Sequence, residues 1–158
     1  DLDGAIYRFD AHGYMVTGWV YEGGHWFYYG PSGGQASGWV RVAGSWYYLD
    51  PLSGAMASGW TKVHDTWYYL SSSGAMRTGW VRDGSSWYYL SADGAMATGW
   101  VRVGSSWYYL SSSGAMATGW LRDGGSWFYL SSSGAMVTGS RWIDGTRYSF
   151  DAEGRLLP

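Results

Sequence analysis

The fold is decided by a 20-residue unit, GWVRDGSSWYYLSADGAMAT, at residues 79–98. A Gly-Trp pair opens the unit, and a second Trp follows seven residues after the first, at the head of an aromatic run. Between the two lies Asp83-Gly84, a strong signal for a two-residue type I′ turn. The aromatic residues and glycines recur without a 3.6-residue period, which argues against a helix. The unit therefore predicts a β-hairpin followed by a polar connector.

The predicted turn also fixes a register for this hairpin. Strands at 78–82 and 85–90 would place Trp80 directly opposite Trp87. Because side chains alternate along a strand, Trp87 and Tyr89 share one face, while Tyr88 points to the other. The sequence thus predicts two indoles side by side on one face of the hairpin.

The unit recurs along nearly the whole chain, at spacings of 20 or 21 residues. The first tryptophans are Trp19, Trp39, Trp60, Trp80, Trp100 and Trp120. The second tryptophans are Trp26, Trp46, Trp67, Trp87, Trp107 and Trp127. A lone two-stranded hairpin is marginally stable in water, whereas stacked hairpins bury one another's faces. We therefore expect an all-β solenoid of stacked β-hairpins.

The ends of the array differ from its middle. Residues 6–9 carry no Trp, and Gly139-Ser140 replaces the Gly-Trp pair. Because the chain starts partway into a repeat, we expect it to be part of a longer protein. The predicted organisation is one array over 1–158, with an N-terminal partial repeat or cap at 1–17, six tandem repeats at 18–138 and a degenerate C-terminal cap at 139–158.

Composition and charge exclude several classes of function. The chain has 13 Trp, 15 Tyr and 26 Gly, so aromatic rings are expected to supply most of the buried area. Ten Lys and Arg against twelve Asp and Glu argue against nucleic-acid binding, and no apolar run is long enough for membrane insertion. With no Cys, neither disulfides nor thiolate metal sites are possible.

Catalytic chemistry is also not predicted. His12, His25 and His64 share no repeat position and lack metal-ligand spacing. No carboxylate recurs in register as an acid–base pair, and the serine-rich connectors have no base in fixed relation to them. We therefore expect neither an enzyme, nor a cofactor, nor a metal site.

The two aromatic positions after each second Trp behave differently. The first holds either Phe or Tyr, which suits packing, whereas the second is Tyr in all six units. Two indoles and a phenol present π faces that can hold a quaternary ammonium, which has no hydrogen to donate. The thioether of a nearby Met could complete the wall.

The pattern of Gly-Trp, a second Trp, Tyr-Tyr and Gly-Ala-Met resembles the choline-binding repeats of Gram-positive autolysins, phage lysins and surface proteins, over essentially the whole chain. The resemblance implies a left-handed solenoid that holds choline between consecutive hairpins, with two Trp from one hairpin, a Tyr from the next and often a Met. It also implies an extracellular module at the cell wall. Its partner would be choline or phosphocholine on teichoic or lipoteichoic acid, with a catalytic or adhesive domain attached.

Applied to this sequence, the resemblance implies four choline sites and two weaker ones. The four are Trp39, Trp46 and Tyr69 with Met56; Trp60, Trp67 and Tyr89 with Met76; Trp80, Trp87 and Tyr109 with Met96; and Trp100, Trp107 and Tyr129 with Met116. The weaker ones are Trp19, Trp26 and Tyr48, where Gln35 stands in the Met position, and Trp120 with Trp127, where Ser149 stands in the Tyr position. Which Tyr of each pair contacts the ligand is left open.

Two other interpretations of the aromatic repeats remain. One is a carbohydrate-binding module similar to the glucan-binding repeats, because stacked aromatic rings also hold sugars. The other is a structural stalk in which the rings only pack. Binding of choline, compared with that of glucose oligomers, separates the three.

Overall fold

The computed structural model describes residues 4–158, and its regular secondary structure is entirely β. Seven antiparallel hairpins follow one another, each made of two five-residue strands. No helix in this part of the chain is long and apolar enough to cross a membrane. The strands are β1 (Gly18–Glu22), β2 (His25–Tyr29), β3 (Gly38–Val42), β4 (Ser45–Leu49), β5 (Gly59–Val63), β6 (Thr66–Leu70), β7 (Gly79–Asp83), β8 (Ser86–Leu90), β9 (Gly99–Val103), β10 (Ser106–Leu110), β11 (Gly119–Asp123), β12 (Ser126–Leu130), β13 (Gly139–Ile143) and β14 (Thr146–Phe150).

The all-β class and the repeated hairpins are confirmed, but the predicted register is wrong. In β7–β8, Trp80 lies opposite Tyr89 and Arg82 opposite Trp87. The turn is Gly84-Ser85, one residue later than predicted, because Gly84 takes the positive φ (62°) at the first turn position. The shift moves the pairing by two residues, so Trp80 and Trp87 still share a face.

The turns of the other hairpins follow the same two-residue plan. In Ala43-Gly44 both residues have positive φ, as a type I′ turn requires. His64-Asp65 adopts the same conformation without glycine, at φ values of 48° and 65°. Since residues other than glycine are strained in this region, the β5–β6 turn stores strain of roughly 1–3 kcal/mol per residue.

Replacing Asp65 with glycine is expected to stabilise the protein by about 1 kcal/mol, since the relief of strain exceeds the added freedom of the unfolded chain. In a thermal melt this corresponds to a rise in Tm of about 2–4 °C. Asp65→Ala is the matched control, because both variants lose the exposed contact between Lys62 Nζ and Asp65 Oδ1 (3.8 Å). Equal melting temperatures for the two variants would show that φ strain is not the cause.

The connector after each hairpin returns alongside its second strand. In the fourth hairpin, Met96 forms an isolated antiparallel bridge with Leu90, and the backbone N–H of Ala97 donates to the carbonyl of Tyr89 (2.8 Å). The same bridge recurs in every repeat, down to Phe150 with Leu156. Each repeat is therefore a hairpin with a short third segment, which carries the Met in the middle repeats, Gln35 in the first and Leu156 in the last.

The innermost side chains are aliphatic. The fully buried residues are the last ones of the second strands, Leu49, Leu70, Leu90, Leu110 and Leu130, each 0% exposed. By contrast, the second tryptophans keep about two-fifths of their surface exposed, as Trp87 does at 40%. The indoles are thus only partly used for packing.

The hairpins fall into two compact units, one ending at Arg77 and one covering Thr78–Pro158. The first contains β1 to β6 and the second β7 to β14. The predicted C-terminal cap contains a complete seventh hairpin, with Val137, Ile143 and Phe150 buried together. The single array with caps at both ends stays a prediction, and the part of the N-terminal cap at residues 1–3 lies outside the described residues.

Candidate functional site

Each hairpin has two different faces. In β7–β8 the front face carries Trp80, Trp87 and Tyr89, and the back face carries Tyr88 and Leu90. On the front face, the rings of Trp80 and Tyr89 pack edge to face, with centroids 5.0 Å apart. The second Tyr of the aromatic pair is therefore held by the first Trp of its own hairpin.

The back face of the next hairpin covers this front face. The ring of Tyr108, on the back of β9–β10, lies 4.9 Å from that of Trp80 in a T-shaped contact. The same residue position supplies the ring at the other described joints, with centroids 4.9–5.0 Å apart. The pairs are Trp19–Tyr47, Trp39–Tyr68, Trp100–Phe128 and Trp120–Tyr148.

A Met from the same later repeat closes the site. The backbone N–H of Met116 donates to the carbonyl of Trp87 (2.8 Å), which ties the third segment of one repeat to the preceding hairpin. We call such a set a cage and name it after its first Trp. The Trp80 cage encloses about 330 Å³ and is lined by Trp80, Trp87, Tyr108, Met116, Ser132 and Ser133. Three consecutive repeats contribute to it.

The other cages repeat this plan. The Trp19 cage encloses about 290 Å³ and is lined by Trp19, Trp26, Tyr47, Met56, Ser72 and Ser73. In the Trp39 cage, Met76 donates its backbone N–H to Trp46 (2.8 Å). In the Trp120 cage, Leu156 makes this bond to Trp127 (2.8 Å), so leucine replaces methionine there.

Glycines in several connectors pack against the Met of the preceding repeat. A Cβ at Gly134 would lie 2.3 Å from the Sδ of Met116, and the φ of Gly134 is 87°. At Gly74, a Cβ would lie 2.3 Å from the Sδ of Met56. The positive φ disfavours any side chain here, and a Cβ would also force the Met to move, which explains the glycine of the recurring Gly-Ala-Met.

The Trp100 cage differs in chemistry from the others. It encloses about 510 Å³ and uses the buried Phe128 as its ring. The indole N–H of Trp100 donates to Asp123 Oδ2 (2.9 Å), which draws a carboxylate to the wall. Its lining residues are Trp100, Trp107, Asp123, Gly124, Ser126, Phe128, Met136, Ala152, Glu153 and Arg155.

The predicted pairs of tryptophans do share front faces, but the predicted partners are wrong at the described joints. The ring from the next hairpin is the first residue of the aromatic pair, not the second. The second tyrosines pack on the first Trp of their own hairpins. These pairs are Trp39–Tyr48, Trp60–Tyr69, Trp80–Tyr89, Trp100–Tyr109 and Trp120–Tyr129.

The Met assignments are also shifted by one repeat, because the Met of a cage comes from the repeat that follows its tryptophans. Met56 belongs to the Trp19 cage, Met76 to the Trp39 cage and Met116 to the Trp80 cage, whereas the prediction used the Met after each hairpin's own second strand. Met136 completes the Trp100 cage and was missed. The site at Trp60 and Trp67 stays a prediction.

Both reasons for expecting weak end sites are also wrong. Gln35 is not part of the Trp19 cage, because its backbone N–H donates to the carbonyl of Ile6 (2.8 Å). Ser149 does not leave the Trp120 cage without a ring, because Tyr148 supplies it. Once the first residue of the aromatic pair is known to supply the ring, the sequence identifies Tyr148, which follows Arg147 just as Tyr108 follows Trp107.

Two cationic side chains lie near second tryptophans. The Nζ of Lys62 lies 6.0 Å from the Trp67 ring centroid, and the guanidinium carbon of Arg122 lies 5.9 Å from that of Trp127. Hydrogen bonds from the backbone of Ser53 and Leu52 lower the pKa of Asp50 in its connector. No group of three His, Cys, Asp or Glu among residues 4–158 could hold a metal ion.

Sequence and structure comparisons identify relatives. The profile of the choline-binding repeat matches residues 2–37, 23–59, 57–98 and 97–140. Choline binding protein CbpJ from Streptococcus pneumoniae TIGR4 is 43% identical, with a TM-score of 0.93 over 96% of this chain and 56% of its own. A comparison with curated protein sequences gave no match.

Two further structures from S. pneumoniae are similar. Choline binding protein F, studied with a tetrasaccharide-pentapeptide peptidoglycan analogue, is 43% identical, with a TM-score of 0.90 over 96% of this chain and 55% of its own. The modular autolysin LytC, in complex with a synthetic peptidoglycan ligand, is 35% identical, with a TM-score of 0.74 over 96% of this chain and 36% of its own. The chain thus spans little more than half of the first two proteins.

Proposed function

Since this chain belongs to the choline-binding repeat family, we propose that its cages hold the trimethylammonium group of choline between consecutive hairpins. The observation that carries the proposal is the Trp80 cage, where three aromatic rings and a thioether surround a cavity open to solvent. A quaternary ammonium is the cation that suits such walls, because it has no N–H group that needs an acceptor. Each ring contact contributes roughly 0.5–2 kcal/mol.

The partner we propose is a polymer that carries many choline groups, namely teichoic or lipoteichoic acid with phosphocholine substituents. A single cage buries little ligand surface, so its affinity is expected to be weak. Several cages at fixed spacing on one chain convert weak binding into strong attachment when the polymer reaches more than one of them. Repetition is therefore the source of affinity.

We further propose that the module works outside the cell, at the cell wall, and holds an attached catalytic or adhesive domain there. The similarity to a modular autolysin supports this role, because in that protein the matching region is only about a third of the chain. The repeat region itself would contribute binding and no catalysis. Front-face tryptophans that are two-fifths exposed suit a binding role better than a structural stalk.

Tyr108→Leu is expected to weaken choline binding in the Trp80 cage about tenfold, because it removes one ring face and the contact with Trp80 while keeping most of the apolar volume. Tyr109→Leu is the comparison. Because Tyr109 packs on Trp100 of its own hairpin, this variant should leave choline binding in the Trp80 cage unchanged. Indole N–H signals in NMR titrations, assigned through Trp→Phe variants, report each cage separately.

The same titration separates the competing functions. Glucose oligomers, added in place of choline, should leave the indole signals of the cages unmoved, and thermal melts verify that both variants are folded. Binding of the glucan but not of choline would establish a carbohydrate-binding module instead. If Tyr109→Leu weakened the Trp80 cage and Tyr108→Leu did not, the assignment of the rings would be wrong.

A further inference from the structure

The carboxylates of the Trp100 cage distinguish it from the Trp19 and Trp80 cages. Asp123, at the end of β11, accepts a hydrogen bond from the indole of Trp100 and lines the cavity. Each of the other described cages is covered by the next hairpin, and the first strand of that hairpin ends in an apolar residue. These residues are Val42, Val63, Val103 and Ile143.

The connector that closes this cage adds to the difference. Ser72-Ser73 and Ser132-Ser133 line the Trp19 and Trp80 cages, whereas Ala152 and Glu153 line the Trp100 cage. Two neutral hydroxyl groups are thus replaced by a methyl group and a second carboxylate. The third wall is Phe128 in place of Tyr, so a phenolic O–H is missing as well.

Arg155 is the one cation among the residues that line this cavity, and its charge is already compensated. Its guanidinium Nη1 lies 3.8 Å from Asp151 Oδ2 and 3.9 Å from Glu153 Oε2. With Asp123 and Glu153 against Arg155, the lining carries a formal charge of −1. The lining residues of the Trp19 and Trp80 cages carry no formal charge.

We propose that the Trp100 cage selects cations without a neighbouring phosphate, such as choline itself, over phosphocholine, while the serine-lined Trp19 and Trp80 cages accept both. The inference rests on the proposed function, because it assigns ligand preferences to the same cages. The carboxylates attract the trimethylammonium group and repel a phosphate, which carries a charge of about −1.5 to −2 near pH 7. The cages along one chain are then unequal in what they bind.

The expected discrimination follows from the exposed position of these charges. Across several ångströms in a mostly aqueous environment, repulsion between the lining and a phosphate weakens phosphocholine relative to choline on the order of fivefold. For each cage, the dissociation constant of phosphocholine is divided by that of choline. The factor is this ratio in the Trp100 cage divided by the ratio in the Trp80 cage. Raising the salt concentration should bring it towards one, because exposed charges are screened.

The chain provides its own matched variants for the test. Asp123→Val gives the Trp100 cage the apolar residue that Val103 supplies at the equivalent position and brings the formal charge of its lining to zero, as in the Trp80 cage, so the fivefold factor should disappear. Val103→Asp places a carboxylate at the equivalent position beside the Trp80 cage, and the preference for choline should rise there. The indole N–H signals of Trp100 and Trp107, and of Trp80 and Trp87, report the two cages in one sample.

Three results would overturn the inference. Equal ratios in the two cages, with clear binding of choline in both, would contradict it and leave the proposed function intact. Tighter binding of phosphocholine in the Trp100 cage, lost in Arg155→Gln, would show that Arg155 determines the preference instead. If choline moved no indole signal in any cage, both the proposed function and this inference would be wrong.

Discussion

Choline at one hundred times its dissociation constant is expected to raise the free energy of unfolding by about 2.7 kcal/mol for every independent cage that it fills. The unfolded chain has no cages, so binding stabilises the native state alone. Occupation of the Trp19 and Trp80 cages together would therefore add about 5 kcal/mol. Chemical denaturation with and without choline measures the gain in the free energy of unfolding. The slope of this gain against the logarithm of the choline concentration gives the number of occupied cages.

A neutral analogue of choline tests the physical origin of this effect. In 3,3-dimethylbutan-1-ol a carbon replaces the nitrogen, so the shape is kept and the charge is lost. Because attraction to the ring faces depends on that charge, the analogue should stabilise the protein far less than choline does. Equal stabilisation by both compounds would mean that the cages are ordinary apolar sites, and no gain with choline would exclude specific binding to the native state.

Leu110→Ala is expected to destabilise the protein by about 2–5 kcal/mol, because it leaves a cavity where a leucine is 0% exposed. This loss is a large part of the total stability of a typical domain. Denaturant titration, followed by near-UV circular dichroism of the tryptophans, measures it.

Leu52→Ala is the matched control, since Leu52 lies in a connector and is 98% exposed. Its effect should stay within about 0.5 kcal/mol. If the two variants had similar stabilities, the second-strand leucines would not form the core. The same pair also separates stability from binding, because neither leucine lines the Trp80 cage.

Much of the local structure could be predicted from the sequence, because it depends on period and turn chemistry. The alternation along a strand correctly places Trp87 and Tyr89 on one face and Tyr88 on the other. The register was missed by one turn position. Asp83-Gly84 and Gly84-Ser85 are both good two-residue turns, and which one forms depends on the pairing of whole strands.

The partners in each cage could not be predicted from alternation alone. Alternation tells which residues share a face, but it does not tell which face of the next hairpin will meet them. The constant Tyr at positions such as Tyr109 suggested a ligand contact, yet its neighbour Trp100 explains it by packing within the hairpin. The true ring position varies between Tyr108 and Phe128, because either ring can cover an indole.

The hydrogen bond between Trp100 and Asp123 is another contact that the sequence did not reveal. The two residues are 23 positions apart, longer than one repeat, so no search within a single unit would pair them. The Met of a cage also comes from the following repeat, as Met116 does for Trp87. Contacts that cross from one repeat to the next require knowledge of how the hairpins stack.

The contact of front face with back face gives the stack a direction, and this bears on how such genes can change. Every described joint brings together the same two surfaces, so duplication of one whole unit creates a new joint identical to its neighbours and leaves the others intact. A duplication that is not a whole number of units would bring unlike surfaces together and could not form the bond that Met116 makes. Unequal recombination in steps of a single repeat can therefore lengthen the binding surface without redesign of any residue.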